Sequence, residues 1–372
     1  MQIHLSLKPA GRLFSSLSIG LSSTLIATGC ASSVATRQVQ TLLPAQHGAL
    51  PKNSTVAVIP FNESFSGSWS DGGWSIAEAE VSNTLTNVTV EGEKYFRVAD
   101  RELISRILDE QALSRTGNFD ASSAPELGAL IGADYVVYGT TDYDYSEFWN
   151  DETHRVCAGR NEEGCIWAEI PVKCQVVSVG TTFYPRVVDV QTGEVSYAQR
   201  ISRSDDADGC RQYGFDARRS RRGYAKMNSS AVAKDLLRSS IEEFRTHIAP
   251  YYGLVALQFA LKHELANESA GQQFSFAKEL HASNLVAACD IWVDLDKTLT
   301  AAQRGPDTAT RLNHGTCLEF KGQLEAAEAL YASYQSELIS SGLVPPGSLN
   351  VALRRVRKRI SDQTNAAAEL GS

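Results

Sequence analysis

The sequence predicts an α/β (α+β) domain, with a mixed sheet flanked by helices, followed by an all-helical region. Between residues 53 and 250, β-branched runs alternate with segments in which apolar residues recur at helical spacing. A tight turn at Gly193 joins two of the runs as a hairpin. From residue 251 onward the strand patterns stop. We therefore expect a helical domain over 251–364 and a short tail over 365–372.

The elements of the first domain follow one another in a regular order. The predicted strands are 55–61, 95–98, 133–139, 182–190 and 195–201. The predicted helices are 74–88, 100–112, 125–131 and 230–248. Asp100 is placed to cap the second helix, Pro125 to begin the third and Pro250 to end the fourth.

The first residues of the chain have the pattern of a secretory signal. Two cations, Lys8 and Arg12, precede an apolar run over 13–27 that ends at small residues. This run is shorter than the roughly 20 residues that a membrane-spanning helix needs. We therefore expect residues 1–29 to be a cleaved signal peptide.

The residue after this signal, Cys30, indicates which kind of signal it is. Residues 25–30 resemble the lipobox of bacterial lipoproteins, in which the cysteine is acylated, for example with palmitate. The resemblance implies an anchor in outer-membrane lipid, because Ala31 rather than an aspartate follows Cys30. Two or more acyl chains hold a protein stably at a membrane. We expect a protein at the periplasmic face of the outer membrane, with residues 30–52 as its tether.

The charge balance argues against nucleic acid as a partner. The whole chain has a formal net charge of −8, and loss of Lys8 and Arg12 with the signal changes it to −10. A nucleic-acid-binding protein would show a strongly basic balance instead.

The remaining cysteines predict disulfides. Besides Cys30 there are Cys157, Cys165, Cys174, Cys210, Cys289 and Cys317. An even number in an oxidising compartment is typical of disulfide pairing. Proximity favours 157–165, 174–210 and 289–317, although the sequence leaves other pairings open. No C-x₂₋₄-C pair of the kind found in zinc sites is present, so we expect no metal.

Five segments fall in the order of one known family: VAVIPF, RVADRELISRILDEQAL, LGALIGADYVVYGT, PRVVDVQTGEVSYAQRI and the helix from Ser230 to Ile248. Together they resemble the CsgG-like family of outer-membrane lipoproteins, over roughly residues 53–250. The resemblance implies a small sheet flanked by helices, similar to the N-terminal domain of TolB and to LpoB-type activators of peptidoglycan synthases. It also leaves open a homo-oligomer.

The helical region contains the spacing of a tetratricopeptide repeat. Gly315, Gly322, Leu324, Ala327 and Tyr331 occupy its successive signature offsets. An earlier copy would place Leu285, Ala288 and Trp292 at the second-helix positions, with an insertion near Arg304–Asp307. This pattern predicts a module that binds an envelope or secreted protein, and a plain helical cap is the alternative.

Pore-forming members of the resembled family insert two long hairpins per subunit into the membrane. The corresponding segments here are 143–181 and 202–228, and both contain clusters of adjacent charges. Charge facing lipid costs about 2–4 kcal/mol near the bilayer midplane. We therefore expect compact, disulfide-stapled excursions in place of spanning hairpins.

The sequence contains no complete motif for catalysis or cofactor binding. The loop 67–73 lacks the lysine of a phosphate-binding loop, and His263–Glu264 lacks the second histidine of a zinc-protease motif. We expect no catalytic residue, no cofactor and no enzymatic activity. Four arginines, Arg218, Arg219, Arg221 and Arg222, are candidates for binding a partner, and a solvated loop is the alternative.

A basic amphipathic helix closes the sequence. Leu353, Val356 and Ile360 share one face, and five cations between Arg354 and Arg359 surround it. Such a helix suits an anionic lipid surface or the polar end of the helical module. The sequence as a whole predicts a non-enzymatic scaffold for assembly or export of envelope material. A peptidoglycan-synthase activator and an oligomeric secretion pore are the alternatives.

Overall fold

A computed structural model describes residues 34–66, 76–110, 123–162, 164–212, 229–302 and 307–371. It divides into two compact units. One contains Gln258–Thr310 together with Val34 and Ala35, and the other contains the described residues of Thr36–Leu257 and Arg311–Ser372. The last helices of the chain therefore belong to the same unit as the sheet. The predicted signal peptide and Cys30 lie outside the described residues.

The strands are β1 Val34–Leu43, β2 Thr55–Val58, β3 Asn62–Ser66, β4 Thr89–Val90, β5 Glu93–Lys94, β6 Arg97–Val98, β7 Tyr135–Asn161, β8 Gly164–Asp189, β9 Val195–Ala198, β10 Ile201–Gln212 and β11 Tyr251–Ala260. The helices are α1 Ala77–Thr86, α2 Arg101–Glu110, α3 Ala124–Ile131, α4 Ser229–Ile248, α5 Glu268–Leu280, α6 Leu285–Ala301, α7 Thr308–Phe320, α8 Leu324–Ser340 and α9 Gly347–Gly371.

The main sheet has the strand order β10-β8-β7-β2-β6. β2 runs parallel to β6 and β7, whereas β8 is antiparallel to both of its neighbours, β7 and β10. β3 extends the pairing of β7 beyond β2, and β9 pairs with β8. The predicted mixed sheet with flanking helices is confirmed.

Helices cover both faces of this sheet. On one face, α1 and α4 contribute Val81, Leu85 and Phe244 to a core that includes Val137 and Phe183 of the sheet. On the other face, α2 and α3 pack Ile104 and Leu127 against Ile59, Val136 and Val188. Buried β-branched residues on both faces of the central strands explain why these strands read as continuous apolar runs.

Three expectations about the ends of the domains are wrong. Strand β1 occupies 34–43, within the segment expected to be a tether. Strand β11 occupies 251–260, where we expected the helical domain to begin, and it pairs with β1 in a two-stranded sheet. Helix α9 continues to Gly371, where we expected a tail. Pairing with a distant partner strand decides the first two, and local periodicity does not contain that information.

Helix α9 returns to the α/β body. The backbone N–H of Ala45 donates to Oε2 of Glu369 at 2.9 Å, and Leu370 packs against the main core. The side-chain amide of Gln363 donates to Thr41 at 3.3 Å. No helix among the described residues is long and apolar enough to cross a membrane.

Candidate functional site: the arm and the helical region

Two strands of the sheet continue far beyond the core. β7 has 27 residues and β8 has 26, and they pair from Tyr135↔Asp189 to Asn161↔Gly164. We call residues 146–161 and 164–178 the arm. At about 3.3 Å per residue, its 16 residues on β7 extend for roughly 53 Å. The compact excursion expected over 143–181 is therefore wrong, because the segment forms one long hairpin with a register shift between Cys157 and Gly159. Of the second segment, 202–228, residues 202–212 belong to β10, and residues 213–228 lie outside the described residues.

The charges that argued against a hairpin are accommodated by cross-strand pairing. Asp151 lies directly opposite Lys173, with 3.8 Å between carboxylate and ammonium, and Arg155 lies opposite Glu169. The Arg155 guanidinium also stacks over the Trp167 ring at 5.4 Å. Side chains directly opposite each other on one face interact favourably when their charges differ. Adjacent charges in the sequence thus alternate between two faces of a ribbon.

Large apolar side chains are exposed along the arm. Phe148 and Trp149 are 47% and 49% exposed, and Ile166 and Trp167 are 52% and 54% exposed. Aromatic side chains are enriched at protein interfaces relative to the rest of the surface. Sequence reasoning missed these four residues, although their occurrence as two adjacent pairs, one on each strand, is a signal that strand pairing makes readable.

A disulfide joins the two strands near the tip of the arm. Cys157 and Cys165 are bonded, with their Cα atoms 5.4 Å apart, which confirms the pair favoured by proximity. Cys174 is also disulfide-bonded and lies in backbone register with Cys210 of β10. Cys289 and Cys317 are each disulfide-bonded. Their pairing stays a prediction.

One group of side chains in the arm has the spacing of a metal site. Ligand atoms of Glu152, His154 and Cys174 lie within 4.8 Å of one another. Because Cys174 is in a disulfide, it has no thiolate to offer, and thiolate is the form that binds metal. His154 is instead 3.0 Å from the Glu152 carboxylate. The group therefore does not form a metal site.

The residues that carry the family resemblance cap and turn the chain. The carboxylate of Asp100 accepts from the backbone N–H of Glu102 at 2.7 Å and so caps α2 as predicted. The carboxylate of Asp134 accepts from the backbone N–H of Thr55 at 2.7 Å, which holds β2 against β7. Asp189 accepts from the N–H of Gln191 at 2.8 Å in the turn after β8. Their role is architectural.

A shallow cavity of about 340 Å³ lies beside these turns. Its lining includes Asn53, Asp134, Tyr135 and Asp189. Burial and the neighbouring Asp189 carboxylate raise the pKa of Tyr135, so its phenol stays protonated. With both carboxylates accepting backbone N–H donors, the cavity is a by-product of strand-end capping.

The repeat pattern in the helical region is explained by close packing of α7 on α8. A Cβ at Gly315 would lie only 2.2 Å from the ring of Tyr331, so only glycine allows this approach. Gly322 has a φ of +75° in the turn between the two helices. Leu324, Ala327 and Tyr331 are all buried, as their offsets predict. In the other unit, Ala288 and Trp292 of α6 are also fully buried.

A buried ion network joins α7, α8 and α9. Glu319 is fully buried, and its carboxylate accepts from Arg355 at 2.5 Å, from Arg359 at 3.2 Å and from the Tyr331 hydroxyl at 3.1 Å. Burial and the Glu319 carboxylate raise the pKa of Tyr331 far above its usual range. Two cations of the basic helix, Arg355 and Arg359, are therefore paired with Glu319 inside the protein.

The remaining cations of that helix are largely paired at the surface. Arg357 contacts Glu328 at 2.8 Å, and Lys358 contacts Asp362 at 2.8 Å. This distribution fits the interpretation of α9 as the closing helix of the module better than a free basic surface for lipid. The arginine candidates Arg218, Arg219, Arg221 and Arg222 lie outside the described residues, as does the loop 67–73.

A second exposed apolar surface lies in the smaller unit. Phe276 of α5 is 55% exposed and Val286 of α6 is 53% exposed. An open cleft beside Phe276 is lined by His263, Glu268 and Gln272. The helical hairpin α5–α6 thus offers a surface with both apolar and polar groups.

More than half of the chain matches one family model. The model describes the curli production assembly/transport component CsgG, and it matches residues 40–251. The chain belongs to the CsgG family. The match begins within β1 and ends at the first residue of β11, so the region shared with the family is the sheet, its helices and the arm.

Solved structures with the same kind of fold are remote in sequence. The LpoB C-terminal domain from Salmonella enterica is 17% identical, covers 41% of this chain and 84% of its own, and has a TM-score of 0.25. The PelC dodecamer from Paraburkholderia phytofirmans is 20% identical, with coverages of 56% and 97% and a TM-score of 0.20.

The lipoprotein GNA1162 from Neisseria meningitidis is 12% identical to this chain. It has coverages of 49% and 97% and a TM-score of 0.22. No curated protein matches the chain significantly.

Proposed function

We propose that this CsgG-family protein is a lipid-anchored, periplasmic scaffold of the outer membrane that takes part in assembly or export of envelope or surface material. The family match over residues 40–251 carries the proposal. The lipobox-like segment ending at Cys30 supports the anchor and the location. In this proposal the protein is non-enzymatic, binds no cofactor and acts through protein contacts.

The arm supplies the main contact surface in this proposal. It combines exposed aromatic side chains, such as Trp149 and Trp167, with charged pairs that keep it compatible with water. Aromatic residues dominate the energetics of protein interfaces, and surrounding polar groups set specificity. The α5–α6 surface around Phe276 is the second contact surface, as the repeat pattern suggests.

Photo-crosslinking in cells tests the proposal. A photoreactive residue replacing Trp167 in the full-length protein should form an adduct with an envelope or secreted protein. The same residue replacing Val195, which is 46% exposed on β9 outside the arm, is the matched control and should not. A Trp149→Ser/Trp167→Ser variant should impair export of the cargo while keeping the fold. Wild-type export by this variant would rule out the arm as the contact surface.

The length of the arm favours a second candidate, an oligomeric secretion pore. A hairpin of roughly 53 Å is longer than the about 30 Å hydrocarbon layer of a bilayer. Charged residues such as Lys173 and Arg155 on one face weigh against lipid contact on that face. Purified acylated protein reconstituted in vesicles distinguishes the two candidates: a pore would release an entrapped dye, and a scaffold would not.

The short linker before β1 weighs against a wall-spanning synthase activator, the remaining alternative. Residues 31–52 taken together would extend far enough to approach the cell wall, but β1 begins at Val34. The chain from Cys30 to Val34 spans at most about 14 Å at some 3.4 Å per residue. A body held this close to its anchor has little reach.

A further inference from the structure

The two-stranded sheet of β1 and β11 has an exposed face without charge. Leu43 and Gly253 lie side by side, since a Cβ at Gly253 would clash with the Leu43 side chain. Residues of opposite parity over 36–40 and 252–256 therefore share the other face, whereas Leu42 packs against the main core. This face contains Thr36, Gln38, Gln40, Tyr252, Leu254 and Ala256, all of them exposed. Leu254 is 65% exposed and Tyr252 is 46% exposed.

This face contains no charged residue, although 21% of the residues of the chain are charged. Flat strands with exposed apolar groups are normally protected by charges, because they otherwise associate with other molecules. The opposite face does contain an arginine, Arg37, and several partly or fully buried residues. Because the outer face lacks charged residues, we expect another molecule to cover it.

The position of this sheet in the chain identifies the occupant. Only Ala31, Ser32 and Ser33 separate Cys30 from β1. The chain from Cys30 to Thr36 reaches at most about 20 Å, at roughly 3.4 Å per residue. If Cys30 is acylated, the beginning of β1 is held close to the lipid headgroups. A partner protein would have to compete with a bilayer that is always present at this distance.

We infer that the uncharged face of the β1–β11 sheet rests on the lipid bilayer, with Tyr252 and Leu254 inserted at the headgroup–acyl boundary. The inference rests on the lipid anchor of the proposed function. The acyl chains hold the beginning of β1, and Tyr252 and Leu254, near the other end of the sheet, form a second point of attachment. Two-point attachment orients the body, because each contact raises the effective concentration of the other.

The residue types fit this boundary. Tyrosine is enriched where an apolar layer meets water, because its ring is apolar and its hydroxyl is polar. Glutamine and threonine can bond to headgroup oxygens, and the absence of acidic groups avoids repulsion from anionic lipid. Weak contacts suffice here because the anchor already removes most of the entropic cost of association.

Photo-crosslinking to lipid tests the inference. The mature chain with Leu254→p-benzoylphenylalanine is coupled through Cys30 to a maleimide lipid in phosphatidylethanolamine–phosphatidylglycerol vesicles. This coupling replaces natural acylation, so the contact is tested even if the proposed anchor fails. The matched control is Val195→p-benzoylphenylalanine, another exposed strand position. Because residues at the boundary contact acyl chains, position 254 should give at least about ten-fold more lipid adduct than position 195.

Other results would overturn the inference. Equal lipid adducts at positions 254 and 195 would mean that the sheet does not rest on the bilayer. A protein–protein adduct at position 254 would mean that a second copy of the chain covers the face. Adding Tyr252→Asp to the Leu254 variant should lower the lipid adduct several-fold. Flotation of protein made in cells, with Cys30→Ala as its control, tests the natural anchor separately.

Discussion

β7 and β8 each run through two environments, and the contrast between them explains much of the molecule. In the body, Tyr143 and Phe183 are completely buried, and Phe183 stacks on Phe61 with ring centroids 5.4 Å apart. In the arm, Trp149 and Trp167 of the same strands are about half exposed. The body half is therefore held by the hydrophobic effect, and the arm half by backbone pairing, side-chain pairs and a disulfide.

This difference shows why the arm needs its cysteines. An isolated two-stranded hairpin is marginally stable in water. β10 adds a third strand as far as the pairing of Gln212 with Val172, and beyond this point β7 and β8 pair only with each other among the residues that the structure describes. The Cys157–Cys165 bond lies in that two-stranded part. It supplies the stability that burial supplies in the body.

The largest expected effect tests burial on β8 itself. Phe183→Ala should lower the free energy of unfolding by about 3–5 kcal/mol, because it leaves a cavity in the core. Ile166→Ala, on the same strand but half exposed in the arm, should change it by about 0.5 kcal/mol or less. Urea denaturation of both variants measures the difference. Similar losses would mean that the arm contributes to the global core.

A comparably large effect should separate the buried and surface ion pairs of α9. Glu319→Ala should lower the free energy of unfolding by about 3–5 kcal/mol, since it leaves Arg355 and Arg359 buried without their carboxylate. Arg357→Ala removes an exposed pair and should cost less than about 1 kcal/mol. Thermal unfolding of both variants provides the comparison. A mild Glu319→Ala phenotype would show that water replaces the lost carboxylate.

The disulfide should have an intermediate and local effect. For a loop of this size, chain entropy gives about 2.5 kcal/mol, so the Cys157→Ser/Cys165→Ser variant should exchange arm amides up to roughly 70-fold faster. Amides of Val136 and Val187 in the body should keep their rates. Hydrogen exchange with mass spectrometry measures both regions in one sample. Equal acceleration in the body would contradict the separation of arm and body.

The smallest expected effect is a pH dependence confined to the body. His247 is buried, its Nδ1 is 2.6 Å from the Tyr197 hydroxyl, and it packs against His47. Burial, and then His47, lower its pKa, while Glu243 opposes them less strongly. The folded state therefore disfavours the proton, and stability should fall as the pH drops below about 6.5, the ordinary histidine value.

Urea denaturation between pH 7.5 and 5.5 measures this effect. The wild type should lose stability toward pH 5.5, and His247→Gln should lose less. Glu369, whose burial raises its pKa, is common to both proteins and cancels in the comparison. Identical slopes would mean that His247 remains accessible to protons in the folded state.

The features of the fold that could be predicted are those that depend on the chemistry of residues close together in the chain. Asp100 caps its helix because a carboxylate can accept N–H donors two and three residues later, whatever lies around it. Gly315 and Tyr331 occupy repeat offsets because a bare Cα is needed where the ring packs. The arm was missed because its charges were judged one segment at a time, and only its register shows that Asp151 lies opposite Lys173.

By itself, the sequence predicted the mixed α/β class, the family and the helices of the C-terminal region, and proximity in the chain favoured the disulfide of the arm. These properties depend on residues close together in the chain, or on the order of the family's motifs along it. Tertiary structure alone decided that β1 pairs with β11, that α9 packs on the body and that β7 and β8 continue as an arm. Such pairings depend on burial and backbone hydrogen bonds between residues hundreds of positions apart, which local patterns do not encode.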